Sequence, residues 1–241
     1  MKTVQSVIFT IDRLPKGYVF TFADFVTEVN KKEAVIKALN RLAVSGKIAK
    51  LSKGKYYKPE DSVFGKLQPN KSQIVKDLLE NEGKIIGYLT GYSIYNQLGL
   101  TTQVSNTIQI GKNEIRPSFK RGSNTISFIR QKNTITKGSI RLLQILDAIR
   151  YFKKIPDSNS LTTFKRLLAI LKNVKEKDKI IMVRLALKYP AATRALLGAL
   201  LQSIGKISIA KPLRNSLNPI TVYKLSGVRK AIPDAEKWNI K

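Results

Sequence analysis

The chain contains no cysteine and no histidine among its 241 residues. Disulfides, thiolate nucleophiles and imidazole bases are thereby excluded, and with them most zinc sites. Nucleophile pairs of the Ser/His and Cys/His kind fall on the same ground. Acids are scarce too: 16 Asp and Glu stand against 44 Lys and Arg, a formal charge of +28. The glycines spell neither a GxxxxGKS/T phosphate loop nor a GxGxxG dinucleotide fingerprint. Asp77 and Glu80 stand one helical turn apart, and Glu114 follows a strand-like run. These are the acids a metal-dependent nuclease would have to use. With so many lysines around them, a solvated or salt-bridged face is the expected role. Neither an enzyme, a metal nor a cofactor is expected.

Long apolar runs are also missing. Residues 179–205 are the most apolar stretch, yet Arg184, Lys188, Pro190 and Arg194 break it well short of a membrane span. Near the N-terminus an apolar stretch is interrupted by Asp12 and Arg13, and no small-residue cleavage site follows. The expectation is a cytoplasmic protein with no membrane partner.

What the chain has in excess is positive charge, which calls for a polyanionic partner, most often nucleic acid. An acidic protein partner is the plainer alternative. Residues 1–60 carry 12 Lys/Arg and 5 Asp/Glu. The remainder is basic at nearly the same density, so the charge is not confined to one segment.

Helical periodicity marks residues 3–14, with Val4, Val7, Ile8 and Ile11 on one face and Pro15 and Gly17 as the stop. Thr21 is placed to cap a second helix whose apolar residues are Phe22, Phe25, Val26 and Val29, and Asn30 allows a tight turn. A third helix is expected over residues 31–45, ended by Gly46. On it Val35, Ala38, Leu39 and Leu42 form one buried stripe, which turns Glu33, Lys37, Asn40 and Arg41 outward. Two short strands then flank the basic turn Ser52-Lys53-Gly54-Lys55. This is the layout of a winged helix-turn-helix: a helix to read base edges and a basic hairpin tip to neutralise phosphate.

Residues 60–70 read as a connector. Beyond it, residues 72–81 read as a helix, 84–89 as an extended run and 90–98 as a small helix. Three or four short strands are expected over 104–136, and helices over 140–151, 161–171, 178–189 and 190–204. The tail ends in an extended segment over 220–225 and the lone Trp238. Tyr88, Tyr92 and Tyr95 are spaced to stack on bases or, as is more usual, to line the rim of a core.

Three phrases carry a family resemblance. They are Ala38-Leu39-Asn40-Arg41-Leu42 running through Gly46-Lys47-Ile48 to Tyr56-Tyr57-Lys58-Pro59, then Phe64-Gly65-Lys66-Leu67-Gln68-Pro69, then Asn96-Gln97-Leu98-Gly99-Leu100-Thr101-Thr102-Gln103-Val104 with the run Thr107-Ile108-Gln109-Ile110. In order and spacing they resemble the AbiEi-type antitoxins of the abortive-infection AbiE system, a type IV toxin-antitoxin family, over about the first half of the chain. The resemblance implies a bacterial winged-helix transcriptional regulator that represses its own toxin-antitoxin operon. It also implies a neighbouring nucleotidyltransferase-like toxin, countered without a stable complex. The DNA-binding role transfers to Lys37, Asn40, Arg41, Lys53 and Lys55, and Lys32 and Lys50 complete the candidate contacts. The expected fold is therefore α+β: a winged helix-turn-helix over residues 1–60, then a larger mixed domain over 61–241 with a small sheet, helical from about residue 138. The expected partner is the double-stranded DNA of its own operator. The rival reading is RNA binding by the basic second domain.

Overall fold

A computed structural model describes residues 3–25, 32–157 and 159–241. The fold is mixed α+β, with small sheets and a helical C-terminal part. The chain divides into two compact units, Met1–Leu79 with Phe119–Thr125, and Glu80–Ser118 with Ile126–Lys241. The first unit thus runs past residue 60, and it also takes in a short segment from much later in the sequence.

In the first unit, α1 (Thr3–Arg13) buries Val7 and Ile11, one turn apart. Its last carbonyls are collected by Lys58, whose Nζ donates to Asp12 O at 2.8 Å and Leu14 O at 2.9 Å. A lysine is well suited to this position, where the helix dipole leaves partial negative charge. Strand β1 (Val19–Phe20) leads into a 3-10 turn, Phe22–Phe25. Thr21 and Asp24 close that turn: the carboxylate accepts from the Thr21 backbone N–H at 2.7 Å, and Thr21 Oγ1 accepts from Ala23 N. The expected helical positions Val26 and Val29, the turn at Asn30 and the helix start at Lys31 lie outside the described residues.

Helix α2 (Lys32–Val44) buries Val35, Ala38, Leu39 and Leu42, the expected stripe. Gly46 ends it with φ +76°, a conformation that side chains resist, and Ile48 N returns to Leu42 O. Strands β2 (Ala49–Ser52) and β3 (Lys55–Tyr57) follow as an antiparallel hairpin, with β1 on the other edge of β3 in the order β1-β3-β2. Val7, Ile11, Phe20, Val35, Leu39, Leu42, Ile48 and Tyr56 make one core.

The expected connector over residues 60–70 is instead a second hairpin, β4 (Glu60–Ser62) and β5 (Gly65–Leu67). A polar turn built on Ser62 forms it: Ser62 Oγ donates to Gly65 O at 2.8 Å and accepts from Phe64 N. The expected helix over 72–81 is two short pieces, α3 (Lys71–Ile74) and α4 (Lys76–Leu79). The chain turns at Val75 and so buries adjacent Ile74 and Val75 together.

The second unit opens with a tight hairpin, β6 (Glu80–Asn81) and β7 (Lys84–Ile85). Strand β8 (Gly87–Thr90) pairs antiparallel with β9 (Thr107–Lys112), which puts Tyr88 opposite Gly111. Strands β10 (Phe119–Arg121) and β11 (Asn124–Arg130) complete a four-stranded sheet in the order β10-β11-β9-β8, and residues 119–125 count with the first unit. The expected helix over 90–98 is a 3-10 turn, Gly91–Ser93, followed by further turns.

The helical part comprises α5 (Ile140–Arg150), α6 (Ser160–Asn173), α7 (Glu176–Ala186) and α8 (Ala191–Ser203). Residues 195–201 of α8 are buried without a break, so it is the centre of this core. Gly198 makes room for the tail: a Cβ there would sit 2.1 Å from the ring of Trp238. The indole Nε1 donates to Gln202 Oε1 at 3.0 Å. The run expected to be extended over 220–225 is irregular apart from one bridge, and the tail around it is helical. The tail contains α9 (Ile207–Asn215), α10 (Val228–Ala231) and a 3-10 turn, Pro233–Trp238, with only an isolated bridge between Tyr223 and Ile240.

Candidate nucleic-acid interface

The outward face of α2 presents Lys32, Glu33, Lys37, Asn40 and Arg41, all exposed. They lie opposite the buried stripe because the helix turns about 100° per residue. Lys32 Nζ rests 5.1 Å over the ring of Phe22, a cation–π contact that holds the first turn of the helix. Asn40 is differently engaged. Its Oδ1 accepts from the hydroxyl of Tyr56 at 2.7 Å. Tyr56 is buried on β3 and stacks on Phe20. The bond therefore ties the exposed face of the helix to the hairpin, and it occupies one arm of the Asn40 amide.

On the first hairpin, Lys50 and Lys53 are exposed, and Lys53 sits at the tip beside Gly54. Lys55 points elsewhere. It is half-buried, with Nζ 3.2 Å from Asp77 Oδ2. Asp77 is also gripped by both arms of Arg121, Nη1 to Oδ1 at 2.6 Å and Nη2 to Oδ2 at 3.0 Å. Arg121 is buried and gives a further bond to Ile74 O. Burial pushes the Asp77 carboxyl up, but the bonds and charges of Arg121 and Lys55 outweigh it and hold the group below the ordinary value of 3.8.

Asp77 is therefore a structural anchor. Its expected neighbour Glu80 and the more distant Glu114 are exposed, and among the described residues no cluster of three acids could hold a metal ion.

Sequence reasoning missed what the second hairpin does. Lys66 on β5 donates to Gly46 O at 2.6 Å, capping the C-terminal end of α2. Val63 and Phe64 at its tip are 93% and 95% exposed. The signal was present in the phrase Phe64-Gly65-Lys66, but its three-residue strands are too short to show alternation.

The tyrosines of the second unit belong to its core. Tyr88 and Tyr95 are buried and cannot offer a stacking face, while half-buried Tyr92 meets Tyr95 edge to face. Tyr88 instead joins a polar cluster around Asp147. Asp147 Oδ2 accepts from the Tyr88 hydroxyl and from Thr90 Oγ1, both at 2.7 Å, and Oδ1 accepts from the Tyr189 hydroxyl at 2.9 Å. Gln131 Nε2 donates to both tyrosine oxygens. Burial pushes the Asp147 carboxyl up, and the three hydroxyl bonds pull it back toward the charged form. Gly111 permits the arrangement: a Cβ there would lie 2.3 Å from the Tyr88 ring. Asp147 is 1% exposed, so the cluster holds the sheet to the helices rather than meeting a substrate.

A family model matches residues 6–180, most of the chain. The chain belongs to the DUF6088 family, a family of unknown function. None of the curated proteins compared matches it. Among solved structures it is similar to the crystal structure of the RV2827C protein from Mycobacterium tuberculosis. The TM-score is 0.61 at 14% identity, over 92% of this chain and 84% of that one, a likeness of fold alone. No helix among the described residues of this DUF6088 member is long and apolar enough to cross a membrane.

Proposed function

We propose that the first unit is a winged helix-turn-helix that binds double-stranded DNA, with α2 in the major groove and the β2–β3 hairpin on the adjacent backbone. One observation carries this reading: the Asn40–Tyr56 bond locks the basic face of α2, with Lys37 and Arg41, to a hairpin that presents Lys50 and Lys53. A fixed angle between helix and hairpin is what simultaneous contact with bases and phosphates requires. In this reading Arg41 reads a base edge, Lys37 serves base or backbone, and Lys50 and Lys53 neutralise phosphate.

The resemblance to AbiEi-type antitoxins extends the proposal. The protein would be a cytoplasmic repressor of its own toxin-antitoxin operon, and it would counter a nucleotidyltransferase-like toxin without a lasting complex.

The test is a salt-titrated binding assay of the full chain. Its probes are the duplex from upstream of its own gene, a scrambled duplex of equal length and an RNA of that length. Preference for the upstream duplex that persists as salt rises is the expected result. Equal affinity for both duplexes, collapsing together with salt, would mean that the charge acts without base readout and would overturn the proposal. A preference for RNA would overturn it in favour of the second unit as the binding part.

A further inference from the structure

The second unit carries a pocket of about 220 Å³ in which Arg130, Lys132, Arg150 and Lys188 converge over the buried Gln131 and Tyr189. The cations reach it from three segments: Arg130 ends β11 and Lys132 lies just beyond it, Arg150 ends α5, and Lys188 follows α7. No acid lines the pocket, and among the described residues none of the four cations forms a salt bridge, although Arg150 lies 4.8 Å over the Tyr151 ring and its charge acts on the buried Asp147. The groups beneath them are already committed. Gln131 Nε2 and the Tyr189 hydroxyl are bonded within the Asp147 cluster, and Gln131 Oε1 accepts from Asn133 N. The side chains left to meet a ligand are therefore the basic ones, above all Arg130, Lys132 and Lys188. Pro190 at its rim opens α8, whose first N–H groups have no side-chain cap and add to the positive potential.

Four like charges gathered in one concavity repel each other unless an anion is placed among them. The size sets what kind. A water takes up about 30 Å³, so the pocket has room for roughly seven. That admits two linked phosphate groups, and the pocket is open to solvent on the side where the rest of a larger ligand would lie. We infer that this pocket binds a diphosphate group, with whatever bears it lying outside. The two natural bearers of that chemistry are a nucleoside di- or triphosphate and the 5′-triphosphate end of an RNA. The inference is independent of DNA binding by the first unit.

The experiment is calorimetric titration of the full chain with inorganic pyrophosphate at physiological salt. Saturable one-to-one binding is expected. Arg130→Gln combined with Lys188→Gln should weaken it at least tenfold. Lys165→Gln combined with Lys177→Gln, which removes the same charge from exposed helical positions, should change it less than twofold. Arg130 and Lys188 are exposed and their loss relieves like-charge repulsion, so the thermal melt should not fall. Should the pair nevertheless unfold the chain, Lys188→Gln alone should still weaken binding at least threefold. Absence of saturable binding, or equal weakening by both double variants, would overturn the inference. Titration with ADP, and with one oligoribonucleotide bearing either a 5′-triphosphate or a 5′-hydroxyl, identifies the bearer. ADP binding as tightly as pyrophosphate marks the nucleotide. Preference for the triphosphate over the hydroxyl end, with ADP weak, marks the RNA.

Discussion

Lys53 and Lys55 stand two positions apart on one hairpin, yet only Lys53 is free to meet a phosphate, because Lys55 is paired with Asp77. Their mutants should separate accordingly. Lys53→Ala should weaken binding to all duplexes alike and reduce the salt slope by about one. Lys55→Ala should change the slope by clearly less, which salt titrations of both variants on one duplex will show. Arg41→Ala should cost about 1–3 kcal/mol on the preferred duplex and relax the preference at one base position. An equal loss on every sequence would remove Arg41 from the role of reader. Asp77 makes a prediction of a different kind. Its folded pKa lies below 3.8, so its ion pairs stabilise fully above that value and are lost as pH falls through the lower one. Asp77→Asn should cost about 1–3 kcal/mol near neutral pH, towards the low end because the carboxylate is 41% exposed. In urea melts the gap from the parent should be full at about pH 5 and should close below 3.8.

Helix α2 and its flanking hairpin were legible in the sequence because their signals are local. A four-residue apolar stripe, a terminal glycine and a Lys-Gly-Lys turn each specify their own piece of backbone. The second hairpin was not legible, since its strands are three residues each and its lysine acts on a carbonyl 20 positions away. Helix α9 was hidden by Pro212, which ordinarily marks a break, although the helix persists through it and buries Ala210 and Leu213. The candidate site was half legible. Periodicity assigned the exposed face of α2, but nothing in the spacing of Asn40 and Tyr56 announced the bond between them. The end of α2 is sensitive at Gly46, where φ is +76° and a Cβ would lie 3.2 Å from Lys66 Nζ. Gly46→Ala should cost about 1–2 kcal/mol in a denaturant melt. It should also weaken binding to the upstream duplex, because both hairpins hang from that turn.

For the molecule as a whole, the formal charge of +28 overstates what is available to a partner. Lys58 and Lys66 are occupied at the C-terminal ends of α1 and α2, and Lys179 donates to Val174 O just after α6. Arg121 is consumed by Asp77. A basic composition here builds helix ends as well as attracting anions, a division that no count of charges reveals. The second unit drew less from the sequence because its cohesion is long-range: Tyr88 and Asp147 are 59 positions apart. The tail closes that unit by sliding the ring of Trp238 over Gly198. Gly198→Ala should therefore overpack the contact and destabilise the unit by about 1–3 kcal/mol, measurable by calorimetry. Since Trp238 is the single tryptophan, the chain carries its own optical label at that seam. Indole emission will report the opening of the second unit alone, whereas far-ultraviolet dichroism reports both. Whether the two signals fall together on heating will show whether the units melt as one cooperative body or in turn.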